Sequence, residues 1–252
     1  MRNREHRSNI AKETLEILEQ GYFINPAGER IDIRTEQAFA EDNTIVYTPQ
    51  TTNDLIKARH PKASDQKTSF EVNALTTMDA VRKLISEGYQ DVLCLNFASA
   101  RNPGGGFKGG SKAQEESIAR ATGLYNCIKD ADAYYLTNKK TKTCFYTDYM
   151  IYSPKVPIFK DEDGKNCMSL NTVSIITAPA VNAGVVRDFE PNKESEIEAV
   201  MKRRIEKVLA VASEHGHSAL ILGAWGCGVF KNDPKDIARY FNILQNTIKL
   251  KA

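Results

Sequence analysis

The sequence predicts an α/β domain, with helices layered on a mostly parallel or mixed sheet. Three observations predict it. Short apolar runs at 91–97 (DVLCLNF), 150–153 (MIYS), 172–180 (TVSIITAPA) and 218–226 (SALILGAWG) alternate with amphipathic helical segments. The first and last of these runs each end in a glycine loop. No Pro/Gly/Ser linker divides the 252 residues, so one domain over 1–252 is expected, with residues 1–70 as an N-terminal extension packed on it.

The elements follow in order. Arg4–Gln20 has Ile10, Leu15, Ile17 and Leu18 along one side, and Gly21 ends it as a C-cap. YFIN and RIDIR flank Pro26-Ala27-Gly28, the pattern of a small hairpin. Asn43–Tyr47 and Thr68–Asn73 read as strands, and the polar stretch Thr48–Lys67 reads as a surface loop bordering the site. Thr76–Glu87 is helical and is followed by Gly88; Gln114–Ile128 is the next helix. PIFKDEDGKNC suits a hairpin or an exposed excursion, and its Asp161-Glu162-Asp163 suits a solvated turn. Glu194–His215 and Pro234–Leu250 complete the set. Asp233 caps the last helix and Pro234 takes its first position, where no N–H is needed.

Composition narrows the function classes. With 34 basic and 32 acidic residues the formal charge is +2, so overall charge calls for neither nucleic acid nor an acidic membrane. No apolar run approaches the roughly 18 residues of a membrane span, and the N-terminus lacks a signal-peptide core. A soluble cytoplasmic monomer is the expectation. The five cysteines include no C-x-x-C pair, and His215 and His217 lack helical ligand spacing. Neither a metal nor a redox cofactor is called for.

The two glycine loops carry the chemistry. ASARNPGGGFKGG follows the first strand and GAWGCGVFKNDP the last. Ligands of open α/β sheets bind at the carboxyl ends of strands, where glycines let peptide N–H groups surround an anion. Two such loops can clamp a pyrophosphate from both sides. GxxxxGK[ST] is absent, and no G-x-G-x-x-G opens a helix with an acidic residue at dinucleotide spacing. Flexible turns are the plain alternative for the glycines. Glu115 and Glu116 follow the first loop, and neighbours on a helix are rotated by about 100°. They are therefore expected to face apart, with at most one at the reacting bond. Acids in a helix's first turn also have a purely electrostatic explanation.

GGG-x7-QEE, here Gly104-Gly105-Gly106 to Gln114-Glu115-Glu116, resembles the signature of poly(ADP-ribose) glycohydrolases, a branch of the macrodomain fold. LNFASARNPGGGF, MIYSPKVPIF, GAWGCGVFKNDP and the leading RSNIAKETLEIL are similar to the microbial-type subgroup, over about residues 4–245. The resemblance implies a three-layer α/β/α macrodomain with a mixed central sheet and an N-terminal helical extension. It implies a glycosidase that cleaves ribose–ribose bonds of poly(ADP-ribose), with the polymer or an ADP-ribosylated macromolecule as substrate and ADP-ribose as product. Glu116 would be the catalytic acid and Glu115 would hold ribose hydroxyls. Asn102 would position the distal ribose, and Gly104 and Gln114 would line the substrate. Gly105, Gly106 and the run Gly226-Cys227-Gly228-Val229 would supply N–H donors to the diphosphate. Phe230 would lie against a ribose and Phe97 on the adenine side.

A helix N-terminus favours a carboxylate over an acid, so Glu116 is expected to hold its catalytic proton only in the complex. Two other enzyme readings remain: a mono-ADP-ribosyl hydrolase, and an unrelated small α/β enzyme acting on a nucleotide. A non-catalytic ADP-ribose reader is the competing class, disfavoured by the intact Gln114-Glu115-Glu116.

Overall fold

A computed structural model describes residues 4–58 and 68–247. α1 (Arg4–Gln20) leads into a two-stranded hairpin of β1 (Tyr22–Ile24) and β2 (Arg30–Asp32), as the sequence predicts. α2 (Arg34–Asp42), β3 (Ile45–Tyr47), α3 (Pro49–Ala58), α4 (Thr77–Ser86) and β4 (Val92–Phe97) follow. Then come α5 (Gln114–Ala121), α6 (Leu124–Ile128), α7 (Asp132–Lys140), β5 (Met150–Lys160) and β6 (Asn166–Ala178). α8 (Ala183–Phe189), α9 (Ile197–Glu214), β7 (Ala219–Ile221) and α10 (Pro234–Thr247) close the order.

The central sheet runs β3-β5-β6-β4-β7 and is mixed. β4 is parallel to both β6 and β7, whereas β3 and β6 are antiparallel to β5. Alternate residues of β4 face opposite layers, as the period of two requires. Leu93 and Leu95 join Met201, Ile205, Leu209, Ile237 and Phe241 of α9 and α10 in one core. Val92 and Cys94 join Met78 and Val81 of α4, Ile118 of α5 and Tyr134 of α7 in the other. This is the three-layer α/β/α arrangement with a mixed sheet.

Several expectations are corrected. Thr68–Asn73 pairs with no strand among the described residues; it runs as coil, with Val72 almost fully exposed. The polar stretch after Tyr47 begins not as a loop but as α3, whose Thr52 is buried and whose partner is α9; its residues 59–67 lie outside the described residues. The helix expected over Gln114–Ile128 breaks at Thr122-Gly123, where the Gly123 N–H donates to Pro157 O at 2.9 Å. MIYS extends to Lys160, kinking between Ser153 and Val156, where Pro154 supplies no N–H. The PIFKDEDGKNC stretch, by contrast, is a hairpin as expected, joining β5 to β6. α2 and α7 carried no helical reading in the sequence.

Candidate active site

β4, β6 and β7 are parallel, so the loops that leave them emerge on one side. Those loops meet at one atom. The carbonyl oxygen of Ala178, the last residue of β6, accepts the Ala98 N–H and the Trp225 indole N–H, each at 3.2 Å. Ala98 opens the first glycine loop, and the fully buried Trp225 anchors the second.

The first loop folds back over the start of α5. Gly104 and Gly105 have φ of +67° and +58°, the left-handed region that glycine adopts without strain. A Cβ on Gly105 would lie 2.5 Å from Glu116 Oε1 and 3.0 Å from Glu115 Oε2. The Gly106 N–H donates to Glu116 Oε1 at 2.9 Å, and the Ser99 N–H to Glu115 Oε2 at 2.7 Å. Asn96, fully buried at the end of β4, places its Nδ2 3.4 Å from Glu115 Oε1. α1 braces the far side of the loop. Arg4 Nε donates to Gly109 O at 2.7 Å, Arg7 Nε to Gly110 O at 2.8 Å and Ser8 Oγ to Lys108 O at 2.8 Å.

Glu115 and Glu116 therefore do not face apart. Both occupy the first turn of α5, where side chains lean toward the helix N-terminus. The glycine loop crosses that end, so the two carboxylates converge on Gly105 instead of dividing around the helix. Both are buried. Burial pushes the Glu115 carboxyl up to about 8; the Ser99 N–H opposes the shift and the neighbouring Glu116 charge adds to it.

The amides divide differently from the symmetrical clamp expected. The Gly105 N–H donates to Asn102 O at 3.0 Å and the Gly106 N–H to Glu116 of α5, so neither is left over. In the second loop, the N–H groups of Gly226, Gly228, Val229 and Phe230 have no hydrogen bond among the described residues. The Cys227 N–H is used on Ala224 O at 3.1 Å. Gly226 has φ +74°, and a Cβ there would lie 2.6 Å from both Ala180 Cβ and Asn232 Nδ2. Asn232, itself buried, donates to Val181 O at 2.8 Å and Gly226 O at 3.1 Å, holding the loop's shape.

The remaining predicted residues sort into lining and framework. Val229 is exposed, and the Phe230 ring lies 6.0 Å from that of Tyr146. Asn102 is exposed on the first loop. Phe97 packs its ring tip against Gly223 just past β7. Phe97 and Gly223 lie on a cleft of about 1360 Å³ bounded also by Asn73, Leu75, Thr76 and Phe241. Gln114 lines the same cleft and is also tied into the framework: its Oε1 accepts the Phe97 N–H at 2.8 Å and its Nε2 donates to Leu95 O at 2.7 Å. β7 pairs β4 only as far as Cys94, and the Gln114 amide continues the ladder where β7 has ended. His215 and His217 lie before β7, at the other end of the sheet, with His215 stacked on Tyr152 at 3.7 Å. Among the described residues no group of three His, Cys, Asp or Glu is placed to hold a metal ion, and no helix is long and apolar enough to cross a membrane.

A family model described as the microbial-type PARG catalytic domain matches residues 11–161. The chain belongs to that family of poly(ADP-ribose) glycohydrolases. It is accordingly an enzyme of the glycosidase class. Solved structures agree. The chain is 40% identical to the poly(ADP-ribose) glycohydrolase of Thermomonospora curvata, with a TM-score of 0.91 over 94% of this chain and 86% of that one. The same enzyme bound to the inhibitor ADP-HPD matches with 40% identity and a TM-score of 0.88, over 94% and 85%. The Deinococcus radiodurans enzyme in complex with ADP-ribose matches with 42% identity and a TM-score of 0.79, over 83% and 84%. No curated protein matches.

Four supporting residues of this glycohydrolase fold escaped the sequence reading: Asn96, Ser99, Trp225 and Asn232. Each lies within a motif that was singled out. Each acts through burial or a hydrogen bond to a chain segment distant in sequence, or across a turn.

Proposed function

We propose that this chain hydrolyses the ribose–ribose O-glycosidic bonds of poly(ADP-ribose) and releases ADP-ribose. The observation that carries the reading is the convergence of Glu115 and Glu116 on Gly105, beside a loop with four unspent N–H groups. The diphosphate of the terminal unit lies on the amides of Gly226, Gly228, Val229 and Phe230. The Phe230 ring borders a ribose, and the adenine end extends past Phe97 into the adjoining cleft. Asn102, exposed on the first loop, reaches the distal ribose.

Glycoside cleavage needs a proton on the leaving oxygen and an activated water afterwards. The two carboxylates share one glycine, so they do not stand on opposite faces of a bond. One residue therefore performs both steps. Glu116 protonates the leaving ribose oxygen and, as the carboxylate, takes a proton from the incoming water. Glu115, pushed up to about 8, holds a proton at neutral pH and donates to a ribose hydroxyl.

The test compares wild type with Glu116→Gln on automodified polymer and on mono-ADP-ribosylated protein, and measures ADP-ribose affinity by calorimetry. Polymer loss with wild type alone, and retained ADP-ribose affinity in the variant, are expected. Binding by both proteins with cleavage by neither makes the chain a reader. Failure of wild type to bind ADP-ribose removes the reading altogether.

A further inference from the structure

Tyr146 is held in a conformation it does not prefer. Its φ is +55°, in the left-handed region, where a non-glycine residue costs on the order of 1 kcal/mol. The residues on both sides are fixed by wholly buried groups. Arg204 Nη2 donates to Phe145 O at 3.0 Å, and Asn138 Oδ1 accepts the Thr147 N–H at 2.8 Å. Arg204 also donates to Pro179 O at 2.8 Å, at the exit of β6. The strained tyrosine is thus locked to the strand end on which both glycine loops hang.

Its ring stands between those loops. One neighbour is Phe230 of the second loop, with ring centroids 6.0 Å apart. The other is Arg101 of the first loop, whose guanidinium carbon lies 5.9 Å from the Tyr146 centroid. That is within cation–π range, and an exposed guanidinium gains orientation from such a face. Among the described residues Arg101 forms no ion pair with a carboxylate, unlike Arg203 and Arg204, which share Asp148. The unspent amides of the second loop are neutral, and the amides of Gly105 and Gly106 are already used. A dianionic diphosphate held by one row of neutral N–H groups is stabilised further by a cation on its other side.

We propose that Arg101, carried on the Tyr146 ring, is a phosphate-binding arm that supplies this countercharge to the diphosphate of the substrate. The proposal rests on the ADP-ribose reading above. Tyr146 acts as a positioning residue: its ring holds the guanidinium over the mouth between the loops, and its hydroxyl is not required. Guanidinium is suited to the task because its planar fork bonds phosphate oxygens in pairs.

Calorimetry with ADP-ribose at several salt concentrations tests this, using wild type, Arg101→Gln, Tyr146→Phe, Tyr146→Leu and the Arg101→Gln/Tyr146→Leu pair. Arg101→Gln should weaken binding about tenfold and flatten its salt dependence, because one charge–phosphate contact is lost. Tyr146→Phe keeps the ring and should bind like wild type. Tyr146→Leu should approach the Arg101→Gln affinity, and the double variant should be no weaker than Arg101→Gln alone. Arg101→Gln within twofold of wild type at every salt concentration overturns the proposal, as does full additivity in the double variant. Should Tyr146→Leu fail to fold, the Arg101→Gln and Tyr146→Phe measurements decide it. Absence of binding by wild type would instead count against the parent reading.

Discussion

Asn96 Nδ2 lies 3.4 Å from Glu115 Oε1, and both side chains are sealed from water at the end of β4. The Asn96 oxygen on the other end of the amide is buried without a hydrogen-bond partner among the described residues. This environment offers the ionised Glu115 the Ser99 N–H, a weaker backbone contact from Gly104 and one long amide contact, which together do not replace lost hydration. The consequence is a carboxyl that keeps its proton up to about pH 8 in the folded chain.

That proton makes stability depend on pH in a defined direction. The unfolded chain releases it near 4.5 and the folded chain near 8, so the folded state binds more protons in between. Glu115 contributes stability that is complete below about pH 4.5 and is lost as pH rises through 8. Thermal melts between about pH 5 and pH 8 should show a fall in Tm for wild type that is much shallower in Glu115→Gln. Parallel pH profiles for the two proteins would refute this.

Gly105→Ala should damage turnover more than folding. The methyl group would sit 2.5 Å from Glu116 Oε1, on a backbone at φ +58°. The backbone strain costs about 1–2 kcal/mol, but the displaced carboxylate loses its alignment with the bond. Polymer hydrolysis should fall at least tenfold while the protein still melts cooperatively. Full activity in this variant would show that the carboxylates need not sit where they do.

Asp148 ties the segment between α7 and β5 to α9. It meets Arg203 at 2.7 Å, and Arg204 and Lys207 at 3.0 Å each, the last two being buried. Burial opposes its ionisation, yet these three cations hold its carboxyl well below the usual range. Its stabilising effect is therefore present above the ordinary carboxylate range and lost as pH falls below it. Asp148→Asn strands two buried cations and should cost about 3–5 kcal/mol in urea denaturation. A loss under 1 kcal/mol would mean that water or another group compensates.

Asn232→Ala should separate binding from chemistry. It removes both Nδ2 bonds that hold the second loop, to Val181 O and Gly226 O, without touching the carboxylates. A buried acceptor left unpaired costs about 1–3 kcal/mol. ADP-ribose affinity should drop several-fold and KM for polymer rise, with kcat changing less. A loss confined to kcat would place Asn232 in the chemistry instead.

Much of this architecture was legible in the sequence because it is local. Val92–Phe97 is a continuous apolar run, and strands buried on both faces have that composition. Gly21 and Pro234 announce helix ends through φ and the missing N–H, which are properties of single residues. Thr68–Asn73 failed on the same criterion: Phe70 and Val72 alternate as in a strand, but a strand also needs a paired edge. α3 failed the other way, since its polar sequence hides the contact with α9.

The sequence by itself determined the α/β class, the two glycine loops, the acidic pair and the family resemblance. These depend on residue type and spacing over a few positions. Only the tertiary structure decided that Glu115 and Glu116 meet at Gly105, that Gly105 and Gly106 spend their amides on Asn102 and Glu116, and that Arg101 and Phe230 share the ring of Tyr146. Helix rotation describes where side chains leave an axis, not what crosses its end. An N–H group looks available in any loop until the fold supplies an acceptor. Here the acceptors are Glu116 and Asn102, whereas four amides of the second loop meet none among the described residues.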